Sequence, residues 1–277
     1  MNGLKTNIYF LILGIAFTSL ARGEARWQAH SAYMIQPKKW EVGLYQPFRY
    51  GYSKSLETSV HPLLFFVIPN ISFKMKMKDF YSSKVANRTT FIYPTPMLNM
   101  VARKGIGGMI DPNIIAPPML GVSTSLLMSK ELVGFGFTSK IGVDIGITFG
   151  ELDSRSNIDL PIIYHRLEVF HNKWGIHTGL DIAKEITKKI DILIDIDLRY
   201  LPSLKKVKEK TSYSMRLGDH SIEHKFLLIW NASKNLRIMT GYKLVSGDYP
   251  YGAGTRILPY VPMLESWVPI IEFQWSK

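Results

Sequence analysis

Cysteine is absent from the 277 residues of this sequence. The chain therefore has no disulfides, no thiol nucleophile and no thiolate metal ligand. Small extracellular eukaryotic domains usually depend on disulfides. If the protein is exported, its composition favours the bacterial envelope and a fold large enough to be stable without cross-links.

Long apolar runs are also missing, except near the N-terminus. There Lys5 precedes the run at residues 8–20 (IYFLILGIAFTSL), and Ala21 and Gly23 lie at positions −3 and −1 of a cut before Glu24. This arrangement is typical of a secretory signal peptide. The run is shorter than the ~20 residues of a spanning helix, although a retained anchor helix is the alternative. We expect a signal peptide at residues 1–23 and a single domain at residues 24–277.

Acidic residues are fewer than basic ones, 22 Asp+Glu against 34 Lys+Arg, which gives a formal charge of +12. Loss of Lys5 and Arg22 with the signal peptide would lower this to +10. A basic excess suits anionic lipid head groups, an anionic solute or nucleic acid. Export and the absence of a basic helix or an aromatic RNA-binding motif exclude nucleic acid as the expected partner.

Familiar enzyme motifs are absent as well. The sequence has no G-x-S-x-G, H-E-x-x-H or Walker A pattern. Outer-membrane lipases place a His and a Ser two residues apart on one strand, and none of the seven histidines is followed by a Ser at that distance. His165, His171 and His177 recur in six-residue steps, which is too little to assign a metal site. We therefore predict no cofactor and no metal and assign no catalytic residue, while an active site assembled across strands stays open.

Alternation of apolar and polar residues is what the sequence does have. At residues 141–149 (IGVDIGITF) Ile, Val and Phe side chains lie on one face, and Gly, Asp and Thr lie on the other. A two-residue period predicts a strand with one apolar and one polar face. Strands are predicted at residues 71–78, 141–149, 173–182 and 190–200. Weaker patterns predict further strands at residues 40–52, 56–68, 120–128, 132–137, 158–170, 222–230, 236–244 and 267–275.

Two segments fit this pattern poorly. Residues 82–117 hold several prolines and a glycine patch, so we predict one strand near residues 90–93 and a long connection. Residues 247–266 are predicted to be a loop. Long loops in compact barrels usually carry function or are mobile.

Three features favour a membrane barrel over a soluble sandwich or a lipocalin-like barrel. Several predicted strands are longer than the ~5–6 residues usual in soluble proteins. Their polar faces are charged and their apolar faces rich in Ile, Leu and Met. Aromatic residues lie near the strand ends, where interface girdles form: Trp40, Tyr50, Tyr52, Phe80, Tyr81, Tyr200, Trp230, Trp267 and Trp275. The predicted fold is all-β, an antiparallel transmembrane up-and-down β-barrel of about 12 strands (range about 10–14).

The C-terminus adds a resemblance to a known class. Trp267, Ile271, Phe273 and Trp275 alternate with polar residues. This pattern resembles the terminal strand of bacterial outer-membrane β-barrel proteins, which the barrel-assembly machinery reads, although Ser276 and Lys277 follow the last aromatic residue here. The stretches WEVGLYQPFRYG and HPLLFFVIPN are also similar to uncharacterised bacterial envelope proteins. The resemblance implies outer-membrane lipid and that machinery as partners, and it implies no activity.

The polar faces of the strongest strands would line the lumen. Their charged members are Lys74, Lys76, Lys78, Asp144, Asp181, Asp191, Asp195, Asp197 and Arg199. Opposite charges there could brace the interior, or they could line a narrow channel for a small polar or anionic solute. We expect an outer-membrane, porin-like pore for passive or selective transport, or a structural envelope component. The alternatives are an outer-membrane enzyme acting on lipid or peptide and a soluble periplasmic lipid-binding protein.

Overall fold

The computed structural model describes residues 29–103, 111–153, 169–201, 220–249, 252–258, 260–261, 266–267 and 270–277. The predicted signal peptide lies outside these residues. Within them the protein has fifteen strands and two short helices. The helices are α1 (Thr95–Val101) and α2 (Val169–Asn172). No described helix is long and apolar enough to cross a membrane.

The strands differ widely in length, from two residues to fourteen. They are β1 (Trp40–Gly43), β2 (Phe48–Gly51), β3 (Leu56–Val60), β4 (Asn70–Lys76), β5 (Lys84–Ile92), β6 (Met119–Leu132), β7 (Phe135–Thr148), β8 (Trp174–Thr187), β9 (Ile190–Tyr200), β10 (His220–Asn231), β11 (Leu236–Tyr249), β12 (Gly252–Leu258), β13 (Tyr260–Val261), β14 (Ser266–Trp267) and β15 (Ile270–Ser276).

The strands close into a twelve-stranded antiparallel barrel, which confirms the predicted fold class. Strands β1 to β11 pair in sequence order, β11 pairs with β15, and β15 pairs with β1. Residues 236–241 of β11 pair with β15, and residues 243–249 pair with β12. Strands β12 and β15 therefore share the twelfth position, and the small β13–β14 hairpin lies between them in the sequence.

The barrel is apolar outside and polar inside. On β7, Ile141, Val143 and Ile145 are exposed, whereas Lys140 and Asp144 are buried. Successive side chains of a strand point to opposite faces, so a strict period of two separates the sets completely. This distribution is the reverse of that in a soluble barrel, whose apolar face points inward.

The two ends of the barrel differ. One end carries the start of β1, the end of β15 and the short turns at residues 52–55, 77–83, 133–134, 188–189 and 232–235. The connections at the other end include the longer ones, residues 61–69, 93–118 and 149–173. We call these the short-turn end and the long-loop end. A two-residue turn joins β6 to β7 through Val133 and Gly134, whose φ angles of +52° and +73° suit a two-residue hairpin.

Proline explains several differences from the predicted strands. Residues 40–52 form two strands because Pro47 lies in the turn between them, and β3 ends at Val60, just before His61 and Pro62. Proline has no amide hydrogen to donate to a ladder. In the same way, β15 begins directly after Pro269, and residues 266–267 pair instead with β13.

Other predicted boundaries were also wrong. Strand β6 continues to Leu132, so residues 132–137 are not a separate strand. Strand β5 covers Lys84–Ile92 and is followed by α1, because its polar residues on both faces (KVANRTT) hide the alternation. The predicted loop at residues 247–266 contains β12. Of the predicted strand at residues 158–170, only residues 169–170 are described, and they belong to α2.

Candidate functional site

Strands β1 to β4 carry a continuous row of buried ion pairs on the inner face. Arg49 lies 2.6 Å from both Glu41 and Glu57, and Lys74 lies 3.3 Å from Glu57. The four side chains come from four successive strands, and each is less than one-tenth exposed. Because each buried charge has a partner on a neighbouring strand, the row ties these four strands together.

A second row runs across β7 to β10. The Lys140 ammonium lies 3.1 Å from Asp181 and 2.7 Å from both Asp195 and Asp197. Lys225 on β10 contacts Asp195 from the other side. Nearer the long-loop end, Arg199 approaches Asp144 at 3.5 Å and Glu223 at 3.7 Å, and Lys243 lies 2.6 Å from Glu223.

The nine charged residues that the sequence predicted to line the lumen lie in three different locations. Lys74 belongs to the first row, and Asp144, Asp181, Asp195, Asp197 and Arg199 belong to the second. Asp191 lies nearer the short-turn end and accepts a hydrogen bond of 2.9 Å from the Asn231 amide. Lys76 is the last residue of β4 and Lys78 follows it, and both are exposed at the short-turn end, away from the buried rows.

Three neighbouring strands bring together a Ser, a His and an Asp. The Ser125 hydroxyl lies 2.8 Å from Nε2 of His177, and Nδ1 of His177 lies 2.9 Å from Oδ2 of Asp144. This connectivity is that of a nucleophile, a base and an orienting carboxylate. Ser125 is only 3% exposed, however. None of the three residues lines the cavity described below.

The segment at residues 29–36 lies inside the barrel. The Ala32 amide donates to Oγ of Ser129 at 2.8 Å, and the Ile35 amide donates to Glu57 at 3.1 Å. Lys74 donates to the carbonyls of Ser31 and Tyr33 at 3.2 and 2.7 Å. The segment, which we call the inner segment, is thus bound to side chains of β3, β4 and β6.

Packing fixes the inner segment further. Ala32 is buried against Ala86 of β5 and Leu127 of β6. Glycine at position 51 allows the closest approach, because a Cβ there would lie 2.3 Å from the carbonyl oxygen of Gln36. The inner segment therefore fills space that would otherwise belong to the lumen.

An apolar cluster occupies the long-loop end. Phe170 of α2 is 1% exposed and packs near Gly121 and Gly146, where a Cβ would come within 3.0 Å of it. The cluster joins α1, α2 and the adjoining connections to the strand ends: Ile68, Ile92, Met97, Leu98, Ala102, Ile114, Ala116, Met119, Val169, Phe170 and Leu201. Burial also lowers the pKa of His171, beside this cluster, to about 4.

A cavity of about 800 Å³ lies between the inner segment and the wall made by β6 to β11. His30, Ser31 and Tyr33 of the inner segment form one side of it. Residues 188–189 and 232–234, in turns of the short-turn end, form its rim. Such a volume falls in the ~300–1,000 Å³ range of small-molecule sites.

Sequence reasoning missed several of these residues for identifiable reasons. Lys140 precedes the alternation recognised at residues 141–149, although β7 begins at Phe135. Glu41, Arg49 and Glu57 lie on strands of four or five residues, too short for a clear period. Glu223 and Lys225 alternate with Ile222 and His224. This alternation is visible in the sequence and could have identified both residues as inward-facing.

Comparisons with known proteins add little to this geometry. No family model matches the sequence, and no curated protein matches it. Among solved structures, the chain is similar to the high-pH structure of OprB from Pseudomonas putida, with 9% identity and a TM-score of 0.38. The similarity covers 86% of this chain and 59% of that one. At this identity and TM-score the similarity supports no functional inference. The functional conclusion therefore rests on the described residues.

Proposed function

We propose that the protein is an outer-membrane β-barrel channel whose lumen is held closed by the inner segment, residues 29–36. Polar solutes pass along the charged wall when this segment is displaced. Barrels of eight strands are filled by side chains, and those of 16–18 strands hold a water channel. Twelve strands give an intermediate interior, which an additional segment of chain can occupy.

The outer surface supports the membrane location. Large apolar side chains such as Ile145, Leu198 and Ile222 are exposed on the long strands, and no core among the described residues covers them. Exposed aromatic residues lie toward both ends of the barrel, as interface girdles do. They are Tyr52, Phe80, Tyr81, Trp230 and Trp275 toward the short-turn end, and Phe149, Trp174 and Tyr200 toward the long-loop end.

The arrangement of the turns supports an orientation. Outer-membrane barrels have short periplasmic turns and longer extracellular loops. By this rule the short-turn end, where β1 begins and β15 ends, faces the periplasm. The inner segment then enters the barrel from the periplasmic side.

The observation that carries the closed-channel proposal is the set of hydrogen bonds from the inner segment to the wall. Its backbone exchanges hydrogen bonds with Glu57, Lys74 and Ser129, on three different strands. A segment held so firmly blocks passage, whereas its displacement would expose charges on both sides of the lumen.

Conductance in planar bilayers tests this proposal. We expect deletion of residues 29–36 to give open, ion-conducting channels, while the complete chain conducts rarely. Because the chain has no cysteine, Ala32→Cys combined with Ala86→Cys provides the matched control: oxidation should abolish the rare openings and reduction should restore them. A deletion variant that folds as a barrel and does not conduct would refute the channel.

A hydrolase acting on lipid or peptide is the second candidate, favoured by the contacts among Ser125, His177 and Asp144. In that case Ser125 would attack a carbonyl and pass its proton to His177. A fluorophosphonate probe distinguishes the two functions. Covalent labelling of the complete chain that is lost in Ser125→Ala would establish the enzyme, whereas no labelling is expected if the three residues only brace β6 to β8.

A further inference from the structure

The inner face of strands β8 to β11 is apolar where it borders the cavity. Ala183, Leu193, Ile229 and Met239 face inward, and Leu193, Ile229 and Met239 form a buried cluster against which Ala183 and Leu227 pack. Ala183 is paired with Leu193, Leu193 with Leu227, and Ile229 with Met239. We call these five residues, on four neighbouring strands, the apolar patch.

The apolar patch lies beside charged residues on the same strands. Toward the long-loop end, the same strands β8 to β11 present Asp181, Asp195, Lys225 and Lys243 to the interior. The patch coincides with the cavity, and all five of its residues line the cavity wall. Water against such a wall is unfavourable, so an apolar group that displaces it would be stabilised by the hydrophobic effect.

The charges around the cavity lie mostly at its open end. Lys188 and Lys189 lie in the β8–β9 turn, Lys234 lies in the β10–β11 turn, and Lys130 lies near the end of β6. Arg237 also lines the cavity and donates a hydrogen bond of 2.5 Å to Gln274. Three acidic groups are present: Asp181 is held by Lys140, Asp191 accepts from Asn231, and Glu185 is exposed.

From this distribution we propose that the cavity binds a long-chain carboxylate. The hydrocarbon chain lies along the apolar patch, and the carboxylate lies among the lysines at the rim. One chain with a small anionic head group suits a cavity of about 800 Å³ whose apolar and basic surfaces are segregated. The inference needs only the barrel interior and does not depend on conduction.

A photoreactive hexadecanoate, with a diazirine on its chain, tests this site in the complete protein held in phospholipid nanodiscs. We expect covalent label on peptides of the apolar patch and of residues 30–33, and we expect excess hexadecanoate to remove it. Hexadecanol, which has the same chain and no charge, should compete at least about tenfold less well. Label confined to outward-facing residues, or equal competition by hexadecanol, would overturn the proposal.

Matched variants separate the cavity from the lipid belt. Ile229→Thr places a hydroxyl on the inward patch and should reduce labelling about fivefold, a change of the size expected for losing part of one apolar contact. Leu228→Thr makes a comparable change on the adjacent outward residue, which is 43% exposed, and should leave cavity labelling unchanged. Equal labelling of the two variants would contradict the assigned site.

The rim is tested in the same assay. Lys188→Gln with Lys189→Gln should weaken hexadecanoate labelling severalfold, while Lys54→Gln, in another turn of the same end, should not. A heat-modifiable band for each variant shows that its barrel is intact, so loss of labelling is not loss of fold. Stronger competition by a lysophospholipid than by hexadecanoate would reject the carboxylate as the occupant.

Discussion

Lys140 is the residue on which most of the second ion-pair row depends. Three carboxylates surround its ammonium group at 2.7 to 3.1 Å, and its side chain is 8% exposed. Removing one member of a buried charge cluster leaves the others uncompensated in a medium that solvates them poorly. Replacing Lys140 should therefore lower the stability of the barrel, whereas removing a charge outside the barrel should leave it almost unchanged.

We predict that Lys140→Met lowers the free energy of unfolding by about 3–5 kcal/mol. A guanidinium titration in detergent micelles, followed by the gel mobility of the folded barrel, measures this change. Lys84→Met is the control, because Lys84 pairs with Asp79 at the surface, where both side chains are at least 40% exposed. Equal destabilisation by both substitutions would show that the buried row contributes no more to stability than a surface ion pair.

His171 gives a pH-dependent prediction at the same scale. Burial lowers its pKa from 6.5 to about 4, so the folded state holds it neutral while the unfolded state binds a proton below pH 6.5. The contribution to stability is complete above pH 6.5 and is lost as the pH falls toward 4. Amide exchange at residues 169–172 should therefore accelerate between pH 6.5 and 4 beyond the intrinsic chemical trend. His171→Gln should remove this excess acceleration. If the acceleration persists in the variant, protonation of another group causes it.

Among the elements, the inner segment was the hardest to foresee. Residues 29–36 (AHSAYMIQ) have no period of two and no turn signal, so nothing in them indicates a strand or a place inside the barrel. Their position depends on partners such as Glu57 and Ser129, up to 97 residues away in the chain. Long strands with one apolar outward face were predictable, because their alternation is local and strict. The short strands β1 to β3 and the interior contacts were not.

Gly51 provides a test of the inner segment. Gly51→Ala should push the segment from the wall, because the new methyl group would lie 2.3 Å from the Gln36 carbonyl oxygen and 2.8 Å from that of Ile35. With Ala32→Cys as reporter, we expect faster modification by a water-soluble thiol reagent. Gly175→Ala is the control, since its methyl group would meet the Leu201 side chain at 2.7 Å and no atom of the inner segment. An unchanged rate in Gly51→Ala would mean that the segment is not held by this contact.

At the scale of the whole molecule, the asymmetry of the ends predicts how the barrel sits in a cell. An epitope inserted in the connection at residues 63–66, at the long-loop end, should bind antibody on intact cells. The same epitope at residues 233–234, at the short-turn end, should bind only after the outer membrane is permeabilised. The opposite pattern would reverse the orientation and move the mouth of the cavity to the cell surface.

The outward and inward faces of the barrel are the part of the molecule that the sequence predicted best. Alternation at residues 141–149 and 190–200 identified both faces, and closure into twelve strands followed the expected even number. What happens inside was not predictable, because ion pairs, the cavity and the contacts among Ser125, His177 and Asp144 join residues on different strands. Spacing within one strand carries no information about them.

Membrane fractionation with heat-modifiability tests the central claim, a membrane-spanning barrel, most directly. The complete chain is expressed in a Gram-negative host, membranes are separated, and the mobility of unheated and boiled samples is compared. The barrel predicts recovery in the outer-membrane fraction and a shift on boiling. Release as a soluble periplasmic protein, with the same mobility before and after boiling, would contradict it.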